Sequence, residues 1–354
     1  MVAGLLASSV LSLAAGLQGL ADIADTLVET TGAPGAAVAR ACGAGVQEGA
    51  AGVRTAGGAA PIRPGDLWHM GSNTKAMTAT LAGRLVEQGV IDWSTRVGDA
   101  LAALDVAIDP ALAPATLGEL LAHRAGVTPN AGLVTALRLS GANEDRDAPA
   151  DRLVYARAVL GEAAGPRGDY LYSNAGYVIA AMMMETAAGA PYEALMAREV
   201  FAPLSMDSAG WGPPGEPGQA DQPRGHSAGL FGRLDPREPG ARADNPPALN
   251  PAGRVHLALS DLMDFLAAHR DRPEDYLSAA TWSRLQTPVG EGDYALGWGV
   301  REDGSLVHAG SNTMWFARML IDAESGCATA AALNASPEGV SDPVNDALEA
   351  LTQR

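Results

Sequence analysis

Ser72-Asn73-Thr74-Lys75 contains the one lysine of a chain that otherwise draws its fixed positive charge from arginine, of which there are 23 among the 24 Lys and Arg residues. An arginine keeps its proton in a protein, whereas a lysine gives one up when it is desolvated or set beside another cation. Bringing a lysine from about 10.4 to about 7 costs roughly 4–5 kcal/mol, which burial can supply. If a helix begins here, residues i and i+3 share a face. The Ser72 hydroxyl then lies within reach of the Lys75 amine, which is the arrangement of a serine activated for attack on a carbonyl.

Two further stations offer matching chemistry. Tyr172-Ser173-Asn174 precedes a long apolar run. A phenol whose pKa is lowered by a neighbouring ammonium can accept the serine's proton and hand it to a leaving group, while the Asn174 amide fixes the lysine and the substrate. Later comes His308-Ala309-Gly310-Ser311. Gly310 would let a substrate lie along the edge of a strand, and the Ser311 N–H could join that of Ser72 around an oxyanion. His123 reads instead as a hydrogen-bonded structural histidine, because nothing near it in sequence makes a chemical partner. Met182 to Met184 read as core packing.

The elements that must position these residues follow from hydrophobic period and punctuation. Residues 17 to 30 carry Leu17, Leu20, Ala24, Leu27 and Val28 on one helical side. Ala36 to Cys42, a Gly-Ala-Gly turn at 43–45 and Val46 to Val53 read as a hairpin, followed by a short strand from Asp66 to Met70. Met77, Leu81 and Leu85 then mark a helix ending at Gly89, so Ser72 sits at a helix N-terminus where amide groups and dipole favour developing negative charge. Thr116 and Glu119 form a capping-box pattern, Asp151 caps a helix running to about Leu160, and a longer helix spans about Asn174 to Ala188. Residues 210–253 are dense in Gly, Pro, Arg and Asp and predict a long loop near the mouth of a site. Helix resumes at Ser260 to His269. Strands are expected at Tyr294 to Val300, Ser305 to Ala309, Trp315 to Asp322 and Cys327 to Asn334, before a last helix from about Asp342 to Thr352.

Composition narrows the function classes. With 354 residues and 47% apolar content the chain can bury a large core, as one big domain or two interleaved lobes. A formal charge of −17 argues against nucleic acid or an anionic membrane as partner. There is no internal repeat, no second long apolar run and no Cys/His cluster at metal spacing, so neither a metal nor another cofactor is expected, and no integral membrane segment in the mature chain. The first 21 residues carry no charge, and Ser12-Leu13-Ala14 offers a small-x-small cleavage site. Residues 1–16 therefore read as a secretory signal segment, which predicts a periplasmic or secreted protein, with a cytoplasmic one as the alternative. Oligomeric state is not legible.

Taken in this order, Ser72-x-x-Lys75, Tyr172-x-Asn174 and His308-x-Gly310 resemble the boxes of the penicillin-recognising serine hydrolases. The resemblance is to the branch of class C β-lactamases, serine D,D-carboxypeptidases, D-aminopeptidases and related esterases. It extends from about Gly32 to the C-terminus and includes the runs from Leu120 to Val127 and from Leu296 to Gly299. It implies an α+β fold: an antiparallel sheet flanked by helices and built from both chain ends (17–70 plus 287–354), with a mainly helical lobe (71–286) inserted and the site in the cleft between. It further implies Ser72 as nucleophile, Lys75 as its activating amine, Tyr172 as general acid/base, Asn174, His308, Gly310 and Ser311 as substrate-binding residues, and the Ser72 and Ser311 amides as oxyanion hole.

The third box departs from the Lys-Thr-Gly usual in β-lactamases. A lysine supplies a permanent charge for a substrate carboxylate, whereas an ordinary histidine, with a pKa of about 6.5, is mostly neutral at pH 7. An ester, amide or D-amino-acid peptide substrate is thus favoured over efficient β-lactam hydrolysis, the alternatives being a penicillin-binding or peptidoglycan-sensing module that acylates with little turnover, or a β-lactamase. If His308 pairs with an anionic group, carboxylate substrates should gain as pH falls through about 6.5. Cys42 ends the first strand and Cys327 begins the last, which this fold makes antiparallel neighbours. A disulfide, implying an oxidising compartment, and a pair of buried free thiols are both open.

Overall fold

The computed structural model describes residues 19–43, 45–139, 147–229 and 232–353. The secretory segment expected at 1–16, Leu17 of the first helix and the middle of the 43–45 turn lie outside the described residues.

Helix α1 (Leu20–Thr31) leads into the hairpin β1 (Gly35–Ala41) and β2 (Gln47–Gly52), and the short strand β3 (Leu67–His69) follows. A 3-10 turn over Gly71–Asn73 then opens α2 (Thr74–Glu87), and Gly89 beyond its end has φ +69. In the central part, α3 (Ala148–Val159) and α4 (Asn174–Ala188) are the long helices. The Ser173 hydroxyl accepts from the Gly176 amide at the start of α4, and left-handed Gly189 stops it. Between residues 210 and 258 the chain is more ordered than a loop: β4 (Gly210–Trp211), β5 (His226–Ala228), β6 (Leu234–Pro236), a helical turn at Asn250–Gly253 and β7 (Val255–Ala258). Helix α5 (Leu259–Asp271), strands β8 (Gly299–Val300), β9 (Leu306–Ser311), β10 (Phe316–Ile321) and β11 (Ala328–Leu333), and α6 (Ser341–Thr352) complete it.

Strand order β2-β1-β11-β10-β9-β8 makes a six-stranded sheet from the two ends of the chain, antiparallel throughout, with Ala36 opposite Leu333 where the halves meet. Its central strands are Ala-rich and buried on both faces. Small side chains let helices approach closely on either side. One face packs Ala36, Val38, Phe316, Leu320 and Leu333 against Ile23 and Leu27 of α1 and Val344, Leu348 and Leu351 of α6. The other face joins the larger core that holds α2, α4 and α5. Gly49 on β2 is where α1 crosses, since a Cβ there would stand 2.3 Å from the Leu20 backbone. Among the described residues no helix is long and apolar enough to cross a membrane.

The structure corrects two element boundaries and decides between the two readings of the cysteines. The strand expected from Tyr294 is a turn as far as Trp298, where left-handed Gly297 sits and the Ala295 amide donates to the Trp298 carbonyl; only Gly299–Val300 pairs with β9. Asp147, not Asp151, is the N-cap of α3, and Asp151 lies buried inside it. Cys42 and Cys327 are joined in a disulfide, so the free-thiol alternative falls away.

Candidate active site

Ser72 lies in the 3-10 turn and Lys75 in the first turn of α2, and the spacing of three does what the sequence predicts: the Lys75 Nζ stands 3.0 Å from the Ser72 Oγ. Two carbonyl oxygens complete the amine's surroundings, Asn174 Oδ1 at 2.7 Å and the Ala252 backbone oxygen at 2.6 Å. Lys75 is fully buried, and desolvation holds its pKa well below the ordinary lysine value. A neutral amine has two N–H donors and one lone pair. The two carbonyls can only accept, so they take both donors and leave the lone pair facing the Ser72 hydroxyl. That is the protonation state a base needs.

Tyr172 lies beside Ser72, and its ring centroid is 4.9 Å from the Lys75 Nζ. Burial pushes the phenol up to about 12, with the Ser72 hydrogen bond opposing. This differs from the expectation of a phenol lowered by an ammonium: a deprotonated lysine supplies no such charge, and the tyrosine stays protonated at neutral pH. Asn174, the first residue of α4, spends its oxygen on Lys75 and donates from Nδ2 to Asn130 Oδ1 at 2.9 Å.

The third box reaches the serine through backbone. A Cβ on Gly310 would stand 2.1 Å from the Met70 carbonyl oxygen and 2.4 Å from the Ser72 amide nitrogen, and one on Gly71, at φ +50, would stand 2.4 Å from the Ser311 nitrogen. Glycine at both positions lets β9 dock against the nucleophile turn, bringing the Ser72 and Ser311 amides to the same junction. β8 pairs only with Leu306 and Val307 of β9, so among the described residues no strand covers that edge from His308 to Ser311.

His308 is buried and committed at both nitrogens: Nδ1 lies 2.8 Å from the Ala309 carbonyl and Nε2 3.0 Å from the Tyr294 hydroxyl. The carbonyl can only accept, so Nδ1 carries the proton and Nε2 accepts from Tyr294. Burial pushes the pKa down to about 3. The expected titration near 6.5 is therefore corrected.

Several residues of the site escape sequence reasoning. His123, at φ +60, packs on Tyr172 with centroids 4.2 Å apart and accepts from the Ser173 amide at 3.0 Å through Nδ1, so it braces the Tyr172 segment. Tyr294 holds His308, Asn130 holds Asn174, and the Ala252 carbonyl holds Lys75. A backbone carbonyl has no residue signature, and only the Asn-Pro-Ala-Gly turn at 250–253 hints at a fixed one.

A sheet assembled from both chain ends, with a serine and a buried lysine of lowered pKa against its strand β9, defines a class: the serine hydrolases of β-lactamase fold. The chain belongs to the β-lactamase family, whose model matches residues 20–354. It is 29% identical over 285 residues to penicillin-binding protein 4 of Amycolatopsis lactamdurans, covering 75% of this chain and 72% of that one. It is also 29% identical over 150 residues to an unguisins hydrolase of Aspergillus violaceofuscus, covering 41% of this chain and 26% of the fungal protein. Among solved structures, the D-amino acid amidase from Ochrobactrum anthropi SV3 complexed with L-phenylalanine amide superposes with a TM-score of 0.74 at 22% identity, covering 94% of this chain and 97% of that one. The octameric penicillin-binding protein homologue from Pyrococcus abyssi gives 0.75 at 21%, covering 99% and 77%. At these identities the structural likenesses speak for the fold.

Proposed function

We infer that the protein hydrolyses a small amide or peptide of the D-amino-acid type through an acyl-enzyme on Ser72. The observation that carries this is the buried amine of Lys75, its pKa lowered by desolvation, at 3.0 Å from the Ser72 hydroxyl. Lys75 takes the hydroxyl proton as Ser72 attacks the carbonyl, and the Ser72 and Ser311 amides receive the oxyanion. Collapse of the adduct needs a proton on the departing amine. Tyr172, protonated at neutral pH and placed beside Ser72, gives it, and the ammonium formed on Lys75 returns the proton to the phenolate. Water then removes the acyl group by the same transfers in reverse.

The amide reading draws support from the named relatives, an amidase and a penicillin-binding protein, and from the uncovered edge of β9, along which an extended peptide can add as a strand. A neutral His308 leaves no cation at the third box for a β-lactam carboxylate, which favours amides and esters over β-lactams. The disulfide fits a protein folded in an oxidising compartment, as the secretory reading of residues 1–16 requires.

The test is intact-mass spectrometry with a fluorophosphonate and with a penicillin, on wild type and Ser72→Ala, alongside turnover of D- and L-phenylalanine amide, a p-nitrophenyl ester and a chromogenic cephalosporin. A Ser72-dependent adduct with faster turnover of the D-amide than of the cephalosporin is expected. No adduct with either reagent would remove the hydrolase mechanism, and a penicillin adduct persisting for hours without amide turnover would replace it with a penicillin-binding module.

A further inference from the structure

Beside the nucleophile turn lies a polar cluster that the chemistry above does not use. Its centre is Asp244, whose carboxylate is fully buried. The Oδ2 atom accepts from His69 Nε2 at 2.8 Å and from Arg254 Nε at 2.9 Å. The Oδ1 atom accepts from Asn312 Nδ2 at 2.9 Å and from the Asn245 amide at 2.8 Å. A carboxylate offers about four lone-pair sites, so this one is saturated.

Each donor leads to a different part of the site. His69 is the last residue of β3, and its Nδ1 accepts from the Gly71 amide at 3.2 Å, one residue before Ser72. Because Nδ1 accepts there, the His69 proton is on Nε2 and points at Asp244. Asn312 immediately follows Ser311. Its Nδ2 also donates to the Ala243 carbonyl at 3.2 Å, while its Oδ1 accepts from the Met314 and Trp315 amides at 3.1 and 3.2 Å. Arg254 donates from Nη1 to Asn250 Oδ1 at 2.6 Å, in the turn that presents the Ala252 carbonyl to Lys75, and Asn250 Nδ2 reaches Glu193 at 2.7 Å. Trp315 stacks on His69 with centroids 5.5 Å apart, and Gly225 is where the 210–253 segment crosses it, since a Cβ there would stand 2.4 Å from the indole.

We propose that Asp244 is a positioning residue for the acyl-transfer site: its two carboxylate oxygens set the spacing between the Ser72 amide, held through His69, and the Ser311 amide, held through Asn312. The inference rests on the hydrolase reading above. It gives Asp244, within the 210–253 segment, a role in positioning the oxyanion site. The two amides belong to different sheets, β3 with its following turn and β9, and the Asp244 carboxylate bridges their ends through His69 and Asn312. An asparagine at 244 has the same shape but only one accepting oxygen, and its NH2 would face donors on whichever side it took. Either the His69 arm or the Asn312 arm must then open, and a misplacement on the order of 1 Å at the reacting centre costs roughly a hundredfold in rate.

The experiment compares wild type, Asp244→Asn, Asn312→Ala and the exchange Asp244→Asn/Asn312→Asp. Each is titrated for active serine with a fluorophosphonate and assayed per titrated site for kcat and KM on a p-nitrophenyl ester. Asp244→Asn should lose roughly a hundredfold in kcat per titrated site with KM within about threefold of wild type. The exchange restores an N–H to carboxylate pairing between 244 and 312 and should recover at least about tenfold of that loss. Should Asp244→Asn fail to fold, Asn312→Ala, which releases one arm only, carries the test and should show the same kcat-only loss. A kcat per titrated site within threefold of wild type in the folded variants would overturn the proposal. So would a loss that falls on KM, or one that the exchange leaves untouched. A wild-type chain that takes no fluorophosphonate on Ser72 defeats the hydrolase reading itself, whereas a labelled wild type with unaffected variants defeats only the role of Asp244.

Discussion

A neutral lysine amine that faces two carbonyls and a hydroxyl can give one N–H to each carbonyl and keep its lone pair for the hydroxyl proton. Protonating Lys75 would bury a charge, and the sign of the consequence follows from its lowered pKa. Between the folded value and the unfolded value near 10.4, the unfolded chain binds more protons, so stability rises with pH across that window. Lys75→Met should therefore abolish turnover yet raise the melting temperature at pH 7 by about 2–4 °C, a gain of around 1 kcal/mol for a large domain, and the gap from wild type should shrink by pH 10. Equal or lower melting temperature at pH 7 would mean the amine is charged in the fold. Lys75→Arg keeps a cation that cannot deprotonate and should lose at least about a thousandfold in kcat/KM. His308 gives a second residue-scale expectation. Held near 3 by burial, it stays neutral from pH 5 to 8. The ratio of kcat/KM for a carboxylate-bearing ester to that for its neutral analogue should then be flat through pH 6.5; a rise toward acid would show the imidazole titrating there.

At the scale of elements, the docking of β9 on the nucleophile turn depends on glycine more than on any side chain. Gly310→Ala puts a methyl 2.1 Å from the Met70 carbonyl oxygen and 2.4 Å from the Ser72 nitrogen, both backbone, so the strand must withdraw. A fall of roughly a hundredfold in the rate of fluorophosphonate labelling is expected, and labelling at the wild-type rate would show that β9 does not set the site. This dependence also explains what was legible. Ser72 and Lys75 could be read together because helix spacing converts a separation of three into proximity, whereas Tyr172 and Asn174, some hundred residues on, were legible only through the resemblance of the three boxes. The start and stop of α4 were readable because Ser173 and Gly189 are capping residues by chemistry. His123 and Tyr294 could not be assigned to the site, since their partners are distant in sequence and the contacts are ring on ring or hydroxyl on imidazole. The 294–298 turn read as strand because its apolar residues are buried for a different reason: Gly297 presses on the first turn of α2, where a Cβ would meet the Ala76 nitrogen at 2.7 Å.

For the molecule as a whole, the sheet is a seam between two ends of the chain that are nearly three hundred residues apart. β1 and β11 meet along it, and the Cys42–Cys327 disulfide closes the seam at one end with a sequence separation of 285. A loop of that length is costly to close in the unfolded chain, so a cross-link spanning it removes more entropy from the unfolded state than a short one would. The seam's own side chains are mostly alanines, which contribute little burial each, and this makes the cross-link weigh more. Reduction, or Cys42→Ser with Cys327→Ser, should lower stability by about 2–5 kcal/mol. Urea melts of oxidised and reduced protein at equal pH measure it, with the slope of the transition checked for a change in the unfolded state. If both forms melt at the same urea concentration, the alanine seam and the helices packed on its two faces hold the chain ends together without help.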